Sequence, residues 1–288
     1  MDYTIIVFLE ILRAISWLVI LAAGLAIIFG MMKVINFAHG EFLMLGGYIT
    51  IMSHNAGVPL WISMGVLAPL VVGVFGIIVE RLVIRHLYGR IIDSLLATWG
   101  LSLLMIGGVT MVFGNTVQGV STPLGSLSIG AYQVPGYNLL LIGIAVAMMM
   151  AIWLVLRFTS AGLIARATMQ NPDMAETLGV RTSWVYMATF GLGSAVTGLA
   201  GGLLAPLTGV APSMGVNFVA QSFITVITGG ASMIAGTLSA GTLLGTISQG
   251  VTFATGPVYG DAALLLAALI LLRLLPQGIT GRIFRKSL

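Results

Sequence analysis

Within nine residues, Lys33 to Glu41 (KVINFAHGE), a lysine, an asparagine, a histidine and a carboxylate interrupt otherwise apolar sequence. Ionisable side chains in such surroundings are costly to keep and usually functional. Four hydrogen-bonding groups this close form either a polar gate on a solute pathway or a locally satisfied turn that anchors two helices. The residues alone leave both open, and Asn36, His39 and Glu41 are the candidates. Two polar stripes join them. Ser94, Thr98 and Ser102 recur at helical spacing, as do Gln221, Thr225 and Thr228, so each set shares one helix face. Thr98, Ser102, Gln221 and Thr225 therefore become pathway candidates, since such a face suits a solute that needs hydrogen bonds without net charge. The competing role is structural, because Ser and Thr in membrane helices also bond backbone carbonyls and neighbouring helices.

Other chemistries find no residues. His39-Gly40-Glu41 lacks the second histidine of a zinc-binding H-E-x-x-H, and no nucleophile–base pair suggests a hydrolase. Zero cysteines excludes disulfides and thiolate metal sites. G-x-x-x-x-G-K-[ST] is absent, and Lys33 and Lys286 are the only lysines. No P-loop ATPase is present, and neither a metal, a cofactor nor a catalytic residue is expected.

The elements that hold these groups must be membrane helices. Of 288 residues 58% are hydrophobic and 7% charged, with mean hydropathy +1.10. A soluble domain carries about a quarter charged residues, so lipid is the solvent here. Apolar runs at 4–30, 42–54, 60–79, 91–114, 138–156, 185–205, 218–250 (interrupted) and 261–275 predict an all-α, polytopic transmembrane bundle of about eight spans with interrupted helices. One transmembrane domain over 1–288 is expected. Asp2, Glu10 and Arg13 near the start replace the basic region of a signal peptide, so the first run reads as an uncleaved span. The 38 glycines suit helices that pack through small residues. The pI of 9.7 reflects a net charge of only +4 placed beside spans, which indicates topology rather than nucleic acid.

Arg81, Arg85 and Arg90 form one basic cluster, Arg157, Arg166 and Arg181 a second, and Arg273, Arg282, Arg285 and Lys286 a third. The positive-inside rule puts all three in the cytoplasm. The uncharged, proline-containing stretches 115–137 and 205–217 are then external, as is the N-terminus. Run 218–250 counts as two crossings, or as one plus a re-entrant piece. The remaining charges read as local. Glu10 and Arg13 neutralise each other on one helix face, Asp93 and Asp261 open helices, and Glu80 beside Arg81 is a surface charge.

Interruptions at matching places in two halves of a membrane protein point to a transport site, because unwound helix ends offer free backbone groups. Lys33–Glu41 is one, and Gly229-Gly230 to Gly236 is the other. The longest polar segment, 157–184, reads as a short helix, a turn at Asn171-Pro172-Asp173 and a second helix ended by Gly179. A helix pair of this kind between spans is a docking surface for a partner.

GLAIIFGMMKVINFAHGEFLMLGGY (Gly24 to Tyr48), ARATMQNPDMAETLGV and LLRLLPQGITGR stand in one order along the chain. Together they resemble bacterial permeases for branched-chain amino acids and urea. The resemblance implies an importer subunit in the bacterial inner (plasma) membrane. It works with a paralogous second permease, two cytoplasmic ATPase subunits and a periplasmic or lipid-anchored binding protein. It makes 157–184 the coupling loop, with Asn171, Asp173, Ala175, Glu176 and Gly179 engaging the ATPase. ERLVIRHLYGR with SLLATWGLSLL, and APSMGVNFVAQSF, resemble the urea or short-amide branch, which is the favoured substrate; branched-chain amino acids and a passive urea channel are the alternatives. Ala231-Ser232-Met233 departs from the glycine-rich continuation usual in the family.

Overall fold

The computed structural model describes residues 2–129, 132–230 and 232–284; Ala231 of the second interruption, and Arg285 and Lys286 of the last basic cluster, lie outside them. In chain order come α1 (Asp2–Met32), α2 (His39–Asn55) and α3 (Leu60–Ile62), which runs through a π-helical turn at Ser63–Leu67 into α4 (Ala68–Leu82). A 3₁₀ turn at Ile84–Leu87 leads to α5 (Ile91–Phe113). Antiparallel strands β1 (Ser126–Ile129) and β2 (Tyr132–Pro135) precede α6 (Gly136–Phe158). Then follow α7 (Ser160–Gln170), α8 (Pro172–Thr177) and α9 (Thr182–Thr208). The chain closes with α10 (Met214–Gly229), α11 (Met233–Thr255), α12 (Pro257–Leu274) and α13 (Gly278–Phe284).

Among the described residues, six helices are long and apolar enough to cross a bilayer: Thr4–Met32, Leu60–Leu82, Ile91–Phe113, Gly136–Phe158, Thr182–Thr208 and Pro257–Gly281. The pair α10–α11, bent by 114°, makes a seventh if taken as one broken span. Every expected apolar run is helical, so the chain is a multi-pass helical membrane protein. The difference from eight lies in α2. Its 17 residues extend about 25 Å at 1.5 Å per residue, short of a hydrocarbon core of about 30 Å. Eleven of the 17 are buried, including both of its charged or imidazole residues near the start, His39 and Glu41. A helix covered in this way is enclosed by protein rather than by lipid.

The chain forms two compact units. One holds residues 23–121 and 153–220, the other residues 1–22, 122–152 and 221–288. In the first unit α2 and α4 pack on α9, around Phe42, Tyr48, Val72 and Phe190. Lipid supplies no hydrophobic drive between helices, so close approach through small residues has to do the work. Gly198 of α9 shows how tight that approach is. A Cβ added there would lie 2.6 Å from Val72 Cβ and 2.8 Å from the Ala68 carbonyl oxygen. In the second unit α11 packs on α12 around Leu18, Leu244, Leu264 and Ala268.

Segments expected on one side of the membrane are bonded to each other. Gln118 and Val210, from the two stretches read as external, exchange backbone hydrogen bonds of 2.9 and 2.6 Å. α9 continues past Pro206 to Thr208, so the second of those stretches is shorter than the prolines suggest. Glu80 is not a surface charge. It is 1% exposed and accepts the Tyr88 hydroxyl hydrogen bond, which desolvates the pair; burial, reinforced by that carboxylate, pushes the Tyr88 phenol above its usual range. Asp93 does pair with Arg90, at 2.6 Å, but the arginine is two-thirds exposed and the pair contributes little.

Gly198→Ala should cost at least the ~1–3 kcal/mol of an overpacked core, read as a lower melting temperature in detergent. Gly107→Ala in α5, where an added Cβ meets nothing within 4 Å, should leave it unchanged or raised.

Candidate functional site

α1 ends at Met32 because Lys33 adopts φ +52°, in the left-handed region that side chains with a Cβ enter at a cost. Its N–H still closes on Phe29 at 2.9 Å, and the next helical turn begins only at His39. The backbone between would be left without partners in a place where water is scarce. Thr98 of α5 supplies them. Phe37 N–H donates to Thr98 Oγ at 3.1 Å, and the Thr98 hydroxyl has the carbonyls of Ser94 (2.8 Å) and Ile35 (3.3 Å) in reach. Asn36 turns its own side chain inward to accept from Ala38 N–H at 3.1 Å. Behind the break, Gly40 meets Gly215 backbone to backbone, with no room for a Cβ on either.

Polar side chains then follow one another down α2. His39 Nδ1 lies 3.4 Å from the Thr197 hydroxyl of α9, and Ser102 of α5 stands beside the Glu41 carboxylate. Not every atom is satisfied: Asn36 Nδ2 and Glu41 Oε2 are buried without a hydrogen-bond partner. Buried polar atoms are nearly always bonded, so these two mark where a water or a passing solute would complete the set.

The structure thus brings Asn36, His39, Glu41, Thr98 and Ser102 together in one unit, around the first break. Thr98 serves the backbone there. Gln221 and Thr225 belong to the other unit. The Thr225 hydroxyl is spent on the Gln221 carbonyl at 2.8 Å, whereas Gln221 Oε1 is buried without a partner and its residue lines a cavity.

The second interruption is closed from a different direction. α10 stops at Gly229, Gly230 takes φ +85°, and Thr280 of α13 fills the gap. Its hydroxyl donates to the Gly229 carbonyl at 2.6 Å and accepts from Ser232 N–H at 3.2 Å. Thr280, just after Pro276-Gln277-Gly278, thus ties the end of the chain to the break.

The 157–184 segment folds as its sequence predicts. Thr159 caps α7 by accepting from Gly162 N–H at 3.0 Å, and Asn171 caps α8 by accepting from Met174 N–H, also at 3.0 Å. α8 ends where Gly179 takes φ +86° and Val180 N–H reaches back to the Ala175 carbonyl at 3.0 Å. Ala175 is buried, and the Glu176 carboxylate accepts the Thr182 hydroxyl. Asp173 points to solvent at the start. The loop is clamped at both ends, yet it leaves two apolar side chains one turn apart uncovered, Met174 (59% exposed) and Leu178 (76%).

Sequence reasoning missed Arg13, Gln249 and Asp261, which line the Gln221 cavity. Asp261 falls outside the first turn of α12, so it does not open that helix as expected. The signal was present, since any ionisable group within a span is a functional candidate.

Broken helices and a buried polar track, seen among the described residues, suit a membrane permease. The chain belongs to the branched-chain amino acid transport system / permease component family, whose pattern matches residues 7–275. It is 28% identical to the probable branched-chain amino acid transport permease protein LivH of Methanocaldococcus jannaschii, over 93% of this chain and 90% of that one. It is 28% identical to the high-affinity LivH of Escherichia coli K12 and 27% to BraD of Pseudomonas aeruginosa, each over 91% of both chains. No solved structure matches. These relatives are named for branched-chain amino acids, so the urea preference drawn from ERLVIRHLYGR and APSMGVNFVAQSF gains no support from them.

Thr98→Val keeps the shape and removes the hydroxyl, stranding Phe37 N–H. A loss of ~1–3 kcal/mol is expected, as a fall in melting temperature that Thr98→Ser restores. An unchanged melting temperature in Thr98→Val contradicts the clasp.

Proposed function

We propose that this chain is the permease subunit of an ATP-driven importer that passes branched-chain amino acids across the plasma membrane into the cytoplasm. The substrate follows from the names its relatives carry, and the urea or short-amide preference gives way to it. As a single domain it would work with a paralogous second permease, two cytoplasmic ATPase subunits and a periplasmic or lipid-anchored binding protein. The chain lacks a P-loop, so those ATPases hydrolyse the nucleotide.

The observation that carries the coupling is the clamped helix α8 with Met174 and Leu178 exposed. Apolar side chains on a polar loop, held by caps at both ends, are suited to a partner's groove. A passive channel has no use for them. Asn171 and Gly179 fix where α8 starts and stops, Asp173 offers a charge at its rim, Ala175 seats it, and Glu176 ties it through Thr182 to α9. Movement of the docked ATPases then reaches the span directly. Asn36, His39, Glu41 and Ser102 are proposed to line the solute path, with Thr98 holding the break open beside them. Gln221 and Thr225 serve the path in the other unit.

Labelled leucine uptake into cells lacking the gene, restored with this chain, tests the substrate: excess valine or isoleucine should compete and urea should not. Competition by urea alone would return the substrate to the urea branch. Glu176→Ala and Gly179→Val should reduce uptake at least tenfold while leucine binding to the partner binding protein stays unchanged. Normal uptake in both would remove the coupling assignment.

A further inference from the structure

A cavity of about 250 Å³ in the unit made of residues 1–22, 122–152 and 221–288 carries a charge pattern of its own. It is lined from four helices, with Arg13 and Trp17 on α1, Gln221 on α10, Gln249 on α11, and Asp261 and Leu264 on α12. Small-molecule pockets run from about 300 Å³ for larger ligands, so this one takes a single small solute. The wall exists because α11 comes close to α1 at Gly245, where an added Cβ would stand 2.9 Å from Ile15 N.

The polar groups sort into two kinds. Glu10 is fully occupied, taking Arg13 Nε at 2.6 Å and the Asn138 amide at 3.0 Å. That pair holds the Arg13 guanidinium through Nε, which leaves its Nη donors for a further acceptor in the cavity Arg13 lines. Two acceptors line the same cavity. Gln221 Oε1 is buried and unpartnered, and Asp261 is an exposed carboxylate one residue beyond the first turn of α12. A donor-only cationic group satisfies both. Trp17, Leu18 and Leu264 supply apolar wall between them.

We propose that this cavity is a binding site for the zwitterionic head of an α-amino acid. Arg13 takes the carboxylate, Asp261 and Gln221 take the ammonium group, and the aliphatic side chain lies against Trp17 and Leu264. Charge-assisted bonds at both ends of a zwitterion give strength and orientation together. A neutral amide such as urea would leave the Asp261 charge without a counterpart. The inference rests on the amino-acid reading above and adds a specificity site in the permease itself. With the Arg273 end of α12 in the cytoplasm, the Asp261 end faces the side from which a binding protein delivers solute.

Equilibrium binding of labelled L-leucine to the purified full-length chain in nanodiscs tests it. The expected result is saturable binding that leucinamide, lacking the carboxylate, and 4-methylpentanoate, lacking the ammonium group, each compete for at least tenfold more weakly than leucine. Asp261→Asn, at the exposed mouth, should weaken leucine binding at least tenfold with an unchanged melting temperature. Arg13→Gln should do the same, and Asp261→Asn carries the test if the arginine variant fails to fold. Equal competition by all three compounds, no saturable binding, or wild-type affinity in Asp261→Asn overturns the site. If leucine uptake by cells persists in Asp261→Asn, the site fails while the importer reading stands. If even the wild-type chain restores no leucine uptake, the importer reading fails first.

Discussion

In hydrocarbon an unpartnered backbone N–H or C=O costs several kcal/mol, and this chain leaves its helical ladder at two places along its spans. Both departures are held by one threonine hydroxyl from a distant segment. Thr98 reaches the stretch between α1 and α2, and Thr280 reaches the stretch between α10 and α11. A hydroxyl is suited to the task because it donates and accepts at once, meeting an orphaned carbonyl and an orphaned amide together. The first clasp stands where the short, enclosed α2 begins, and the second ties Thr280 of α13 to the end of α10.

Hydroxyls and carboxylates in the bundle divide by what they bond. Thr98, Thr225 and Thr280 are committed to backbone, and Glu80 to Tyr88. Asn36, Glu41 and Gln221 each keep an atom without a partner although buried. A permease needs this second kind, since a site satisfied entirely by its own protein offers nothing to a solute. Charge is used sparingly as well: Glu10 pairs with Arg13 through Nε and so holds the guanidinium in place.

Much of this was legible in the sequence. Composition gave the membrane class, apolar runs gave the helices, and Gly-Gly and KVINFAHGE marked the breaks. Asn171 and Gly179 bracketed α8, because caps and left-handed glycines are local chemistry, although Pro172 and Asp173 lie within the helix rather than in a turn and it ends at Thr177. What escaped depends on tertiary partners. The Thr98 bond to Phe37 spans 61 positions, Glu80 is buried only because the chain folds Tyr88 back onto it, and Arg13 and Asp261 meet across a cavity from opposite ends of the sequence. α2 passed as an ordinary span because hydropathy does not separate enclosure by protein from enclosure by lipid. Substrate lay beyond local motifs as well: the stretches that suggested urea find no support in the relatives' names.

The central claim is that this chain moves solute only when partner ATPases act on α8. Proteoliposomes holding the chain alone, or the full importer with its binding protein, measure this directly through labelled leucine flux with and without ATP. The account predicts no flux through the chain alone and ATP-dependent accumulation with the full complex. Leucine equilibrating through the isolated chain without ATP would contradict it.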